Sequence, residues 1–292
     1  MNGLILLDKP EGFTSFKAAA VLRRIYGTKR VGHTGTLDPM ATGVLPILIG
    51  RATRLCSYVL EADKRYTAGV RLGVTTDTLD ITGEVLSQSE VSIADEQLVD
   101  VLNHFTCTYD QIPPMFSAIK KDGVRLYDLA RQGKEIERTP RTVTIHEIKL
   151  LSRNGNDFLI DVHCSKGTYI RSLADDIGKL LGCGATLISL RRTDAAGFSI
   201  NDCKTLEQIE ADPEGCLLSA DRAVPGFRSL NVSEAQAKRF MNGAALSIDR
   251  LKFVGDPKEK EIFKIFSDGR FLGLSELDEI SREISTKCVV LE

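Results

Sequence analysis

Between Lys64 and Gly73 the side chains alternate in chemistry without a break. Tyr66, Ala68, Val70 and Leu72 fall on one face, and Arg65, Thr67 and Arg71 on the other. A period of two belongs to a β-strand, and a strand with one apolar face needs a layer to cover it. The neighbouring sequence supplies candidates. Residues 4–7 read as a buried strand closed by the turn cluster Asp8-Lys9-Pro10-Glu11-Gly12. Thr14 is placed to cap a helix over 15–26, with Ala18, Val21, Leu22 and Ile25 on one stripe and Gly27 as its stop. Residues 44–49 read as a buried strand, 53–61 and 92–104 as helices, and 143–152 and 157–165 as two strands. Ile170, Leu173, Ala174, Ile177, Leu180 and Leu181 trace an amphipathic helix that ends at Gly182. A boundary falls at Val224-Pro225-Gly226. Beyond it, one short helix over 233–241 and apolar runs at 262–266 and 270–274 read as a small, mostly β module.

At 292 residues with 42% hydrophobic and 27% charged side chains, the chain has material for one large folded domain and a small one. It carries no Trp and only 6% aromatic residues, which argues against a broad aromatic binding platform. Seven cysteines without a Cys-x-x-Cys spacing argue against a zinc site or a disulfide framework and fit reduced thiols in the cytoplasm. The apolar start is too short for a signal peptide, and no stretch reaches the ~18 apolar residues of a membrane span. The overall charge of -2 is unevenly spread: residues 1–73 carry a net +6 and the remainder a net -8. A basic N-terminal quarter suits a polyanion such as nucleic acid, the alternative being chance clustering on solvated faces.

The segment Gly32-His33-Thr34-Gly35-Thr36-Leu37-Asp38-Pro39-Met40-Ala41-Thr42-Gly43 reads as a loop throughout. It holds one carboxylate, Asp38, and one imidazole, His33. Pro39 biases Asp38 toward an extended backbone that projects its side chain. On chemistry alone, a functional loop and a structural turn with a capping Asp stand side by side. A second long stretch, 111–141, is turn-rich and basic, with Lys120, Lys121, Arg125, Arg131, Lys134, Arg138 and Arg141 set against four acids. A segment of that length with little structure of its own is usually functional or mobile.

Four separated segments carry a resemblance. They are Leu7-Asp8-Lys9-Pro10 with Gly12; the Gly32–Gly43 segment; Asp63-Lys64-Arg65-Tyr66; and Ser165-Lys166-Gly167-Thr168-Tyr169-Ile170-Arg171 followed by Leu190-Arg191-Arg192-Thr193. In order and combination the chain resembles the TruB family of tRNA pseudouridine synthases, over nearly all of 1–200. The run Gln111-Ile112-Pro113-Pro114-Met115-Phe116-Ser117-Ala118 through Leu126-Tyr127 and Ala130-Arg131 resembles the RNA-gripping insertion of bacterial members. The tail, with Asn242-Gly243 and Asp268-Gly269-Arg270-Phe271-Leu272-Gly273, is similar to a divergent PUA domain, although its 11 basic and 11 acidic residues give it no net charge signature for RNA.

The resemblance implies an α+β fold: a central mixed, mainly antiparallel sheet flanked by helices over 1–227, with a small β-barrel-like PUA domain over 228–292. It implies isomerisation of the T-loop uridine at position 55 of tRNA to pseudouridine, on the tRNA T-arm, with no cofactor or metal, no membrane and no obligate protein partner. Asp38 matches the catalytic aspartate. A free Asp, with a reference pKa of ~3.9, is a carboxylate at neutral pH. Addition to C1′, addition to the base and elimination to a glycal remain open routes. Arg171 matches the basic partner of that aspartate, Tyr66 the tyrosine against the target base, and Tyr169 and Leu190 pocket-lining positions. His33 matches the histidine that enters the RNA when the base is flipped. Lys9 and Lys64 are either phosphate contacts or solvated charges. The competing readings are a guide-RNA-dependent, dyskerin-type synthase and a tRNA-folding chaperone whose chemistry is secondary.

Overall fold

Strand β1 (Gly3–Lys9) opens the chain, and residues 4–7 are almost wholly buried because all four are apolar. It runs past the predicted stop: Asp8 N donates to Lys204 O at 2.9 Å, and only Pro10, which has no N–H, ends the pairing. Helix α1 (Ser15–Ile25) is capped by Thr14, whose hydroxyl accepts from Lys17 N at 3.0 Å, and Gly27 closes it at φ 59°. Strands β2 (Val31–His33) and β3 (Thr42–Ile49) then form an antiparallel pair with His33 opposite Ile47. This corrects the sequence reading of 32–43. Both ends of the segment are strand, because Gly32 and His33 pair along β3, and the loop is confined to 34–41. The predicted helix at 53–61 is a 3-10 stretch (Gly50–Leu55) running into α2 (Cys56–Leu60).

The computed structural model describes every residue except 61, 118, 122, 131, 134, 135, 279 and 292, and only the backbone of 120, 121 and 125. Ala118, Arg131 and Lys134 of the predicted RNA-gripping insertion therefore lie outside the described residues, as do the side chains of Lys120, Lys121 and Arg125. The chain divides into two units. One comprises Met1–Asp38, Val44–Glu61 and Ala196–Glu292, and the other Pro39–Gly43 and Ala62–Ala195.

The second unit begins with β4 (Lys64–Leu72), followed by the hairpin β5 (Val74–Thr76) and β6 (Val85–Gln88), helix α3 (Asp95–His104) and β7 (Thr108–Gln111). The insertion holds two short strands, β8 (Lys120–Lys121) and β9 (Val124–Arg125), and the five-residue helix α4 (Leu126–Ala130). Then come β10 (Arg141–Asn154), β11 (Asp157–Cys164), α5 (Ile170–Leu180) and β12 (Ala185–Ala195). The strands lie in the order β12-β4-β11-β10-β7, antiparallel at each step. Thr42 and Gly43 pair parallel to Arg191 and Arg192, so the sheet is mixed. The alternation in β4 is realised as read. Tyr66, Ala68, Val70 and Leu72 are buried, while Arg65 and Arg71 on the other face pair with Asp161 and Asp157 of β11. Arg141 stands opposite Gln111, so the insertion is the excursion of a hairpin whose last pair is Gln111–Arg141.

The first unit resumes with β13 (Phe198–Ser199) and α6 (Leu206–Ala211). Its tail adds β14 (Arg228–Asn231), α7 (Glu234–Met241), β15 (Leu246–Ser247), β16 (Ile262–Ser267), β17 (Arg270–Asp278) and β18 (Glu283–Val289). These strands form a separate sheet in the order β14-β16-β17-β18-β15, closed over Leu230, Phe240, Phe263, Ile265 and Leu272. The tail fits a PUA-like fold. Arg54 Nη1 donates to Val289 O at 2.7 Å and Arg51 Nη1 to Leu291 O at 3.0 Å, tying the end of the chain to the 3-10 stretch.

Candidate active site

In the first unit the loop at 34–41 is fixed on both sides of its central residues. Thr34, 3% exposed, donates from its N–H and its hydroxyl to Pro46 O, at 3.0 and 3.2 Å. Ser15, the buried first residue of α1, accepts from Leu37 N at 2.9 Å and donates to Leu37 O at 3.2 Å. Leu37 is itself 3% exposed, so its apolar side chain and both backbone groups are pinned. Asp38 follows directly, half-buried and at the end of the unit, with the orientation of its backbone set by that anchor. His33, the last residue of β2, is half-buried. Lys9 is 0% exposed, and its ammonium donates to Pro10 O (2.9 Å) and Phe13 O (2.6 Å). It is thus not a solvated charge: it holds the turn that leads into α1.

The other end of the loop belongs to the second unit. Gly43 sits at φ +103°, and a Cβ there would lie 2.2 Å from Arg192 O, so no other residue fits beside β12. Arg191 Nη1 donates to Thr42 Oγ1 at 3.1 Å. In β4, Tyr66 stands opposite Arg192 of β12 and Val162 of β11, while Leu190 stands opposite Ala68. Tyr66 and Leu190 therefore share one face of the sheet, two residues apart on adjacent strands, and both are 8% exposed. Lys64 is also buried, and its ammonium donates to Ala62 O. Burial first, and then the Arg192 charge, lower its pKa below the usual lysine range.

Helix α5 starts at Ile170, and Tyr169 is its N-cap at φ -100°, ψ 110°. The helix thus begins at the first residue of the apolar stripe, and Tyr169 is extended. Arg171 is 4% exposed. Its guanidinium donates to Thr78 O at 3.1 Å (Nη1) and Phe116 O at 2.8 Å (Nη2), and Nη1 lies 3.5 Å from Asp80 Oδ2. Asp80 has a cage of its own. Its Oδ1 accepts from Thr78 Oγ1 (2.9 Å), Thr82 N (3.0 Å) and Thr82 Oγ1 (2.5 Å). Between Thr78 and Asp80, Leu79 is held at φ +63°, a left-handed conformation that costs a non-glycine residue ~1–2 kcal/mol. It is pinned by Leu187 N, which donates to Leu79 O at 3.2 Å.

Asp80 and Ser15 are site-building residues that sequence reasoning passed over. The signal for Asp80 was available: Thr75-Thr76-Asp77-Thr78-Leu79-Asp80-Ile81-Thr82-Gly83 is dense in residues that bond their own backbone. Among the described residues, no group of three or more His, Cys, Asp or Glu is placed to hold a metal. No described helix is long and apolar enough to cross a membrane.

The TruB family pseudouridylate synthase N-terminal domain matches residues 23–170, and the tRNA pseudouridylate synthase B C-terminal domain matches 171–223. A tRNA pseudouridine synthase B from Azoarcus sp. (strain BH72) is 45% identical over 281 residues, covering 94% of this chain and 91% of that protein. The chain belongs to the TruB family of pseudouridylate synthases. It is therefore an isomerase. A protein of the same name from Clostridium perfringens (strain ATCC 13124) is 41% identical over 96% of each chain. The fold is shared with a chain in the crystal structure of a Cbf5-Nop10-Gar1 complex, at TM-score 0.75 and 26% identity, covering 99% of this chain and 84% of that one.

Proposed function

We propose that the chain converts the uridine at position 55 in the T-loop of tRNA to pseudouridine, in the cytoplasm. The C1′–N1 bond breaks, the uracil turns and a C1′–C5 bond forms. The proton lost at C5 is matched by one gained at N1, so nothing is consumed. In this reading Asp38 is the catalytic carboxylate, Arg171 the basic group that orients it, and Tyr66 the ring that stacks on the base and assists proton transfer at C5. His33 fills the space left by the flipped base, at a site where unstacking costs a few kcal/mol. Tyr169 and Leu190 line the base pocket, and the buried Lys9 and Lys64 add positive charge favourable to a polyanion. The PUA-like segment 228–292 is a further RNA-binding domain, and 1–227 the catalytic domain.

The observation that carries this reading is Arg171. A guanidinium 4% exposed, held by two carbonyls and a caged aspartate at the head of a helix, is costly to bury and is fixed in one orientation. The names of the relatives support the tRNA substrate, and the basic N-terminal quarter suits its phosphates. Incubation with a transcript of the T-arm hairpin alone, followed by carbodiimide mapping, tests the substrate. The expected outcome is a single modified uridine in the loop. A strict requirement for full-length tRNA would contradict it.

A further inference from the structure

The geometry points to Gln111 as a positioning residue that clamps the backbone of Tyr169 and so sets the two side chains, Tyr169 and Arg171, at the head of α5. The inference rests on the proposed roles of those two residues.

Tyr169 is the N-cap of α5, but a tyrosine side chain cannot cap a helix in the way Ser, Thr or Asp does, and no side-chain cap bond is made there. Its peptide groups are held from outside instead. Tyr169 N donates to Gln111 Oε1 at 2.8 Å, and Gln111 Nε2 donates to Tyr169 O at 3.1 Å. Tyr169 O also accepts from Leu173 N at 3.0 Å, the first bond of the helix, so the clamp acts on the group that starts it. The second N–H of the amide donates to the Tyr109 hydroxyl at 2.7 Å. Gln111 is 1% exposed, and both its amide hydrogens and its oxygen are used.

The partners fix which way the amide faces. A peptide N–H requires the oxygen, and a peptide carbonyl requires the NH₂ group. A flipped amide would set donor against donor and acceptor against acceptor. The neighbours extend the grip: Ser172 Oγ donates to Ile112 O at 2.8 Å, and Arg171 Nη2 to Phe116 O. Gln111, Ile112 and Phe116 all lie at the root of the insertion. Three of the four residues Tyr169–Ser172 are thus bonded to that root. A displacement of about 1 Å in a catalytic group can cost on the order of 10²-fold in rate.

The test is single-turnover pseudouridine formation at saturating tRNA, measured with tRNA affinity and thermal unfolding on the full chain. The variants are Gln111→Glu, Gln111→Met and Tyr109→Phe, with Asp38→Asn as reference. Gln111→Glu keeps the shape but faces the Tyr169 carbonyl with a carboxylate. Gln111→Met removes the polar groups without adding charge, so it serves if the first variant fails to fold. The expected result is a rate at least tenfold lower for either Gln111 variant, with tRNA affinity within about threefold. Tyr109→Phe, which leaves both bonds to Tyr169, stays within threefold in rate. Rates for folded Gln111 variants within twofold of the unsubstituted chain would overturn the clamp, as would equal losses in Tyr109→Phe and Gln111→Met. An active Asp38→Asn would instead overturn the underlying site reading, so the two failures are distinguishable.

Discussion

Arg171 and Asp80 form a buried ion pair, with side chains 5% and 6% exposed. Burying two charges costs more than one surface pair returns, and the structure offsets it with the bonds from Thr78 and Thr82 to the carboxylate and from the guanidinium to two carbonyls. Removing one partner strands the other. Asp80→Ala is therefore expected to destabilise the fold by ~3–5 kcal/mol in urea unfolding, while an exposed-pair control such as Glu210→Ala, partner of Arg24, stays within ~1 kcal/mol. Comparable midpoints for the two would contradict the account. Arg171→Lys keeps one charge but loses the planar fork. It cannot satisfy Thr78 O, Phe116 O and Asp80 together, and turnover is expected to fall at least 10²-fold with tRNA affinity nearly unchanged.

At the scale of elements, α5 carries both the site and a titratable liability. Asp176, five residues past Arg171 on the same helix, has its pKa raised to about 6, chiefly by burial. The folded state thus holds a proton that the unfolded chain, with a carboxyl near 3.8, has released. Stability falls as pH rises from about 4 to about 6, and the full penalty is present above that. Asp176→Asn is expected to raise the melting temperature at pH 7.5 and leave it unchanged at pH 3.5; a constant difference at both would contradict the burial argument. The insertion between β7 and β10 makes a second prediction. Its charge and length favour ordering on RNA, so its amides should gain hydrogen-exchange protection when tRNA is added. Equal protection with and without tRNA would count against it.

Periodicity made some elements legible and left others hidden. The alternation of 64–72 and the apolar stripe of 170–181 found β4 and α5, because burial on one face writes a period into the sequence. The strand residues Gly32 and His33 were read as loop, since a glycine beside a histidine carries no such period and the pairing that makes them strand comes from β3. Strand β18 was missed for a related reason: Ile284 is its one buried residue, followed by Ser285, Thr286 and Lys287, so no period is written there. In the candidate site, Arg171 and Tyr66 were visible as members of motifs. The pairing of Asp80 with Arg171, the anchor by Ser15 and the clamp by Gln111 depend on contacts made by residues 22 or more positions away. No local pattern encodes those contacts.

For the whole molecule, the central claim is that Asp38 performs the chemistry on a T-loop uridine while the rest of the chain binds and positions the RNA. The tail forms a sheet and core of its own. Asp38→Asn replaces a nucleophilic carboxylate by a neutral amide of the same shape. The decisive measurement is pseudouridine mapping at the T-loop, by carbodiimide modification or mass spectrometry, for the unsubstituted chain and Asp38→Asn at enzyme in excess over tRNA. The account predicts complete conversion by the first and none by the second, with tRNA affinity retained within about tenfold, or ~1.4 kcal/mol. Robust product from Asp38→Asn would contradict it.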